Sequence, residues 1–319
     1  MGRRKTSSGA ALLMAMLTVA LVAVFASSAL WQQWRALEVE RAERVRVQAG
    51  WILAGAFDWA RLVLREDARA GSVDHLAEPW AVGLQESRLS EFLAAQGGTV
   101  SDAGADMLEA FLSGQITDLQ SRLNITNLIA DGRISQADVR SFERLFESLS
   151  LPPSELQTIV DNLLLAASRP TGDAAAQGKA PLMPTRIEQL AWLGATQQTI
   201  TALRPYVTVL PVRTSVNINT ASAEVIHAAV DGLGMSDARR LVEARARAPF
   251  RTLAEAKKVL GGAEGALGDS DAAIGVASRF FEILARLRLD GVVVEERCAV
   301  ERDLLNVQPL WVEKVLAPA

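Results

Sequence analysis

The sequence predicts an α+β protein in which a long N-terminal helix, apolar at its start, packs on an antiparallel sheet interrupted by a large all-α insertion. Three observations predict it. Ala10 to Leu30 is a run of 21 residues without a charge. Val45, Ala49, Ile52, Ala56, Trp59 and Val63 recur in steps of four and three, the spacing of one helical face. Phe281, Ile283, Ala285, Leu287 and Leu289 alternate along Phe280 to Asp290, and Gly291 turns that run into Val292 to Val300, which is the pattern of two antiparallel strands.

As a helix, the charge-free run covers about 30 Å, the hydrocarbon thickness of a bilayer. Arg3, Arg4 and Lys5 precede it and hold that end in the cytoplasm. Trp31 and Trp34 stand where an interfacial aromatic belt belongs, and Arg35 to Arg46 carries both signs of charge with no Gly or Pro, so the helix continues for about 55 residues in all. Three readings compete for the span. A secretory signal peptide would be cut near Ser27-Ser28-Ala29. A plain signal anchor accounts for the charge and length but gives Gly9 no role. The start also resembles a type IV prepilin leader, with a short basic segment, Gly9 directly before the apolar run and the small Ala10 after it. That resemblance implies a cut between Gly9 and Ala10 and methylation of the new N-terminus at Ala10.

Composition narrows the function classes. The 319 residues are 50% hydrophobic and 22% charged, enough to fold a sizeable core beyond the span. A net charge of -4 provides no basic excess for nucleic acid. Cys298 is the only cysteine, and His75 and His227 are the only histidines, so neither an intramolecular disulfide nor a zinc motif is available. The sequence contains no nucleophile elbow, no phosphate loop after a strand and no metal-ligand spacing, which points away from an enzyme.

Past a turn at His75 to Trp80, Asp118 to Ile125 alternates as a strand would. Asn127 to Asp138, with Asp131-Gly132-Arg133-Ile134, mimics the back half of an EF-hand loop, but Ile129 occupies a ligand position. A turn followed by a helix capped by Ser135 and Asp138 accounts for it without metal. Two helical faces follow, through Val139, Phe142, Leu145, Phe146 and Leu149 and through Leu156, Ile159, Val160, Leu163 and Leu164. Arg169 to Pro184, rich in Ala, Gly and Pro, reads as an exposed loop. From Val216 to Lys258, Asn217-Ile218-Asn219-Thr220-Ala221, then Gly232-Leu233-Gly234 between two helices, resembles the helix-hairpin-helix of DNA-uptake receptors, which hold a phosphate on backbone amides. Asp231, Asp237 and Glu243 oppose that reading, whereas Arg239, Arg240, Arg245, Arg247 and Arg251 favour it.

Taken in order, the leader, Met14, Asp74 to Trp80, Asp118 to Asn124 and Val216 to Ala221 resemble the type II secretion system protein K family, the large minor pseudopilins. The resemblance covers essentially the whole chain. It implies a type IV pilin-like fold divided into a leader (1–9), a transmembrane part of the long helix (10–30), a pilin-like helix and first strands (31–127), an inserted helical domain (128–271) and closing strands (272–319). Pilin-like chains carry Glu at the fifth mature position, where it neutralises the ammonium of the subunit ahead. Met14 stands there, and a subunit with none ahead has no ammonium to neutralise. The implied partners are two smaller minor pseudopilins in a tip complex, the major pseudopilin, a prepilin peptidase, the inner-membrane secretion platform and inner-membrane lipid, with no nucleic acid. The chain would be a single-pass inner-membrane protein with its bulk in the periplasm. Calcium is the one cofactor the resemblance raises, with Asp161 and Asp173 the carboxylates nearest the implied region; two carboxylates fall short of the six to eight oxygens calcium takes.

Overall fold

Helix α1 runs from Ser8 to Ala70, 63 residues and about 95 Å long. The computed structural model describes residues 8–95, 110–168, 180–260, 273–289 and 291–315. The first part of α1 is exposed all round, as a lipid-facing segment is. Its middle is held by exposed pairs three or four residues apart, Arg41 with Glu38, Arg44 with Glu40 and Arg46 with Glu43, each contributing only a few tenths of a kcal/mol. From Ala49 onward one face is buried: Ala49, Leu53, Phe57, Ala60 and Leu64. That row is rotated by about one residue from the stripe read in the sequence. Val45, Ile52, Ala56 and Val63 flank it half-buried, because a sheet covers a wider arc of the helix than a single stripe.

After α1 a 3₁₀ turn, Pro79–Ala81, buries Trp80. Strand β1 (Leu84–Arg88), helix α2 (Leu89–Ala95) and strand β2 (Phe111–Asp118) follow. The helical insertion then leaves from the end of β2. Within it lie α3 (Gln136–Ser148), α4 (Pro153–Ala167), a 3₁₀ segment Ile187–Leu193, α5 (Gln197–Leu203), α6 (Ala223–Ala229), α7 (Met235–Arg247) and α8 (Leu253–Val259). The chain re-enters the sheet as β3 (Phe280–Leu289), β4 (Val292–Asp303) and β5 (Asn306–Val315). The spatial order is β1-β2-β3-β4-β5, every neighbour antiparallel, so the sheet is a meander opened between its second and third strands.

The β3–β4 hairpin is the one the alternation predicts. Leu289 pairs with Val292 across Asp290-Gly291, and Gly291 has φ 77°, which the tight turn needs and glycine supplies without a steric penalty. Phe281, Ile283, Ala285 and Leu287 of β3 and Cys298 and Val300 of β4 face α1 and close the first core with Trp80. On β2, an inner strand, a Cβ at Gly114 would lie 3.0 Å from the Leu284 carbonyl, so a larger residue would press the two strands apart by a few tenths of an ångström. Pro309 sits on edge strand β5, where its missing N–H disturbs no further ladder.

The insertion has a second core, built on Phe142, Leu145 and Phe146 of α3, Leu156, Ile159 and Leu163 of α4, and Val225 and Ile226 of α6. Two local expectations differ from the structure. Asp118 to Ile125 is not one strand: β2 ends at Asp118, whose side chain accepts the Gln120 N–H and caps a 3₁₀ turn, Leu119–Ser121. The helical part leaves the sheet at the end of β2 and returns to it at the start of β3. The EF-hand-like stretch is a small hairpin, Ile129–Ala130 against Arg133–Ile134, turned by Asp131 and Gly132 at positive φ. Ser135 precedes α3 as expected, but its hydroxyl donates to Asp138 Oδ2 instead of accepting a helix N–H.

Candidate functional site

Where the end of α1, the end of β2, the start of β3 and the insertion meet, the chain buries a knot of polar side chains. Asp118 Oδ2 accepts from Ser278 Oγ at 2.6 Å, Thr220 Oγ1 at 2.5 Å and Asn217 Nδ2 at 3.2 Å. Asp74 Oδ2 accepts the Ser278 N–H at 2.7 Å, and the Asp74 carbonyl accepts from Asn217 Nδ2 at 3.1 Å. Arg302, reaching in from β4, donates to Asp74, to Asp67 Oδ2 at 2.9 Å and to the Ser278 carbonyl at 2.9 Å, with its guanidinium 4.7 Å over the Phe281 ring. Beside it, Glu78 Oε2 accepts from Trp80 Nε1 at 2.7 Å and from the His75 N–H at 2.9 Å. Burial pushes Asp118 up to about 6, against the pull of its Ser278, Thr220 and Gln120 donors. Burial and then the Glu78 charge raise Asp67 to about 6, with Arg302 opposing.

Three stretches that carry the family resemblance, Asp74 to Trp80, Asp118 to Asn124 and Val216 to Ala221, converge here. Asp67, Ser278 and Arg302 were not legible as partners. One signal existed: along β4 the inward positions Cys298 and Val300 are followed by Arg302, a charge where the alternation calls for an apolar residue. The knot fixes the root of the insertion to the sheet and to the far end of the long helix. The Ser278 and Thr220 hydroxyls are both spent on the buried Asp118 carboxylate.

Asp67, Asp74 and Glu78 bring oxygens within 4.8 Å of one another, the spacing of a cation site. The cation is already there: Arg302 bridges two of these acids, and Glu78 is engaged by Trp80 and His75. These residues do not fit calcium, which needs six to eight hard oxygens and no competing guanidinium. Asp161, on α4, accepts from Gln157 Nε2 at 2.9 Å, and Asp173 lies outside the described residues. Gly9, Ala10 and Met14 all lie on the exposed start of α1.

The glycine hairpin carries acids where a phosphate would sit. Gly234 is the N-cap of α7, Asp237 occupies its first turn and pairs with Arg240, and Asp231 pairs with Arg144. Arg245, which would have to face a phosphate, instead donates to the Ile218 carbonyl and is half-buried, its pKa lowered to about 10 by desolvation. Electrostatics at the hairpin therefore oppose the DNA reading.

Comparison with known proteins agrees with this architecture. Two family models, both described as type II secretion system protein K, match residues 121–212 and 216–277. Type II secretion system protein K of Pseudomonas aeruginosa is 26% identical over 307 residues, covering 90% of this chain and 86% of that protein. The crystal structure of the GspK-GspI-GspJ complex from enterotoxigenic Escherichia coli superposes with a TM-score of 0.64 at 19% identity, over 87% of this chain and 99% of that one, which shows a shared fold. The paired family matches and the end-to-end relative, on a meander opened by a helical insertion, lead to one conclusion: the chain belongs to the type II secretion system protein K family of minor pseudopilins.

Proposed function

We propose that this minor pseudopilin caps the tip of the periplasmic pseudopilus, starts its assembly and so supports export of folded proteins across the outer membrane. The observation that carries the reading is where the insertion is rooted. It leaves β2 at Asp118 and is tied by Asn217 to the Asp74 carbonyl, just past the end of α1 farthest from the apolar span, so a subunit stacked above would meet the insertion. Met14 supports the same position, since it offers no carboxylate to a subunit ahead. The two smaller minor pseudopilins would join through α1, as counterparts of GspI and GspJ in the Escherichia coli complex, and the major pseudopilin would follow. We assign Gly9–Ala10 as the prepilin peptidase site, Ala10 as the methylated N-terminus, and the inner membrane as the location of the span before extraction by the secretion platform.

Gold labelling of an epitope-tagged chain on overproduced fibres tests the reading. A single label at one fibre end is expected. Labels spaced along the shaft would overturn it.

A further inference from the structure

On the face of the sheet turned away from α1, a cleft of 480 Å³ lies between β2–β5 and the root of the insertion, within the size range of sites that take a ligand. We propose that this cleft binds an extended, carboxylate-bearing peptide segment of a partner protein. Four guanidiniums line it: Arg122, Arg186, Arg204 and Arg297. Two have carboxylate partners, Arg204 with Glu188 and Arg186 with Glu313, both at 3.2 Å. Arg122 and Arg297 are half-buried, and their guanidiniums make no hydrogen bond or ion pair with any other described residue. Arg186 adds a buried Nε without an acceptor. A guanidinium drawn partly out of water without a partner forfeits hydration and gains nothing in return, unless an acceptor arrives from outside. A carboxylate is the acceptor whose geometry its fork fits, two oxygens against two N–H groups.

The rest of the lining selects the kind of carboxylate. Leu284 and Trp311 contribute apolar surface, Trp311 with Arg186 stacked 5.0 Å over its ring, which suits side chains of a peptide more than a bare anion. Glu188, Glu282 and Glu313 also line the cleft and leave it only one positive charge in excess, four Arg against three Glu. A doubly charged phosphate would be repelled by those acids, whereas a singly charged carboxylate is matched. The root of the insertion supplies Arg122, and β4 supplies Arg297, so a bound segment would bridge the two parts of the chain.

Full-length chain in detergent micelles, titrated against fluorescein-labelled, C-terminally amidated Leu-Leu-Glu-Leu-Leu and its Leu-Leu-Gln-Leu-Leu counterpart by fluorescence anisotropy, tests the proposal. The acidic peptide should bind at least about tenfold tighter than the neutral one, with an affinity that falls as salt rises. The Arg122→Gln, Arg297→Gln double variant should lose that preference while its thermal unfolding stays unchanged. Arg88→Gln, on the exposed edge strand, should retain it. No binding, equal binding of the two peptides, displacement of the peptide by inorganic phosphate at equal concentration, or an unchanged preference in the double variant would each overturn the proposal.

Discussion

Arg302 and Asp118 make the strongest residue-scale claims. Arg302 is 9% exposed and serves two buried carboxylates, so its loss strands both. Arg302→Met should lower unfolding stability by about 3–5 kcal/mol, read as a fall in the denaturation midpoint. Loss of less than about 1 kcal/mol would mean that water reaches the acids. For Asp118 the sign follows from its raised value. A folded value of about 6 against an ordinary 3.8 means that the folded chain holds a proton the unfolded chain has released between those pH values. Its contribution is therefore most favourable below about pH 4 and is lost as pH rises through about 6. A side-chain amide at this position would not titrate, so Asp118→Asn should gain stability relative to the parent by up to about 3 kcal/mol between pH 4 and 7. A difference that stays flat with pH would show that the hydroxyl donors outweigh burial.

At the scale of elements, legibility follows how local the signal is. Helix α1 was readable because a charge-free run, a mixed-charge stretch and a four-and-three stripe follow one another with no Pro between Ser8 and Ala70, and the β3–β4 hairpin because alternation and Asp290-Gly291 sit side by side. Strand β1 was not. Leu84-Gln-Glu-Ser-Arg88 lies on an edge with an irregular register and buries little, so no alternation marks it. The polar knot was hidden for another reason: Asp118 and Ser278 are 160 residues apart, and short-range periodicity carries nothing over that separation. Two element-scale outcomes can be checked. Mass spectrometry should find the mature chain beginning at methylated Ala10, with Gly9→Val leaving the leader in place; a chain beginning near Leu30 would indicate signal-peptide processing instead. For the α6–α7 hairpin, the full chain should show no salt-dependent retention on duplex DNA at physiological salt. Tight retention lost in Gly234→Asp would restore the DNA reading.

For the whole molecule, two cores share one polar joint. The sheet core closes on α1, the insertion closes on itself, and Asp118, Asn217, Ser278 and Arg302 tie them at the end of α1 farthest from the span. A pilin-like shaft subunit has to leave that end free for the next copy. Here the insertion is rooted beside it, and on the function proposed above that shape, together with Met14, places the chain at the end of a fibre. In the proposed complex the two smaller minor pseudopilins would bind the exposed length of α1, where Trp31, Trp34, Leu37 and Val39 stand outward. The most direct test is the mass, by light scattering with the detergent contribution subtracted, of the purified full chain mixed with those two proteins. One copy of each in a single stable particle is predicted, with no growth when more of this chain is added. A homopolymer of this chain, lengthening with its concentration, would contradict the terminal position.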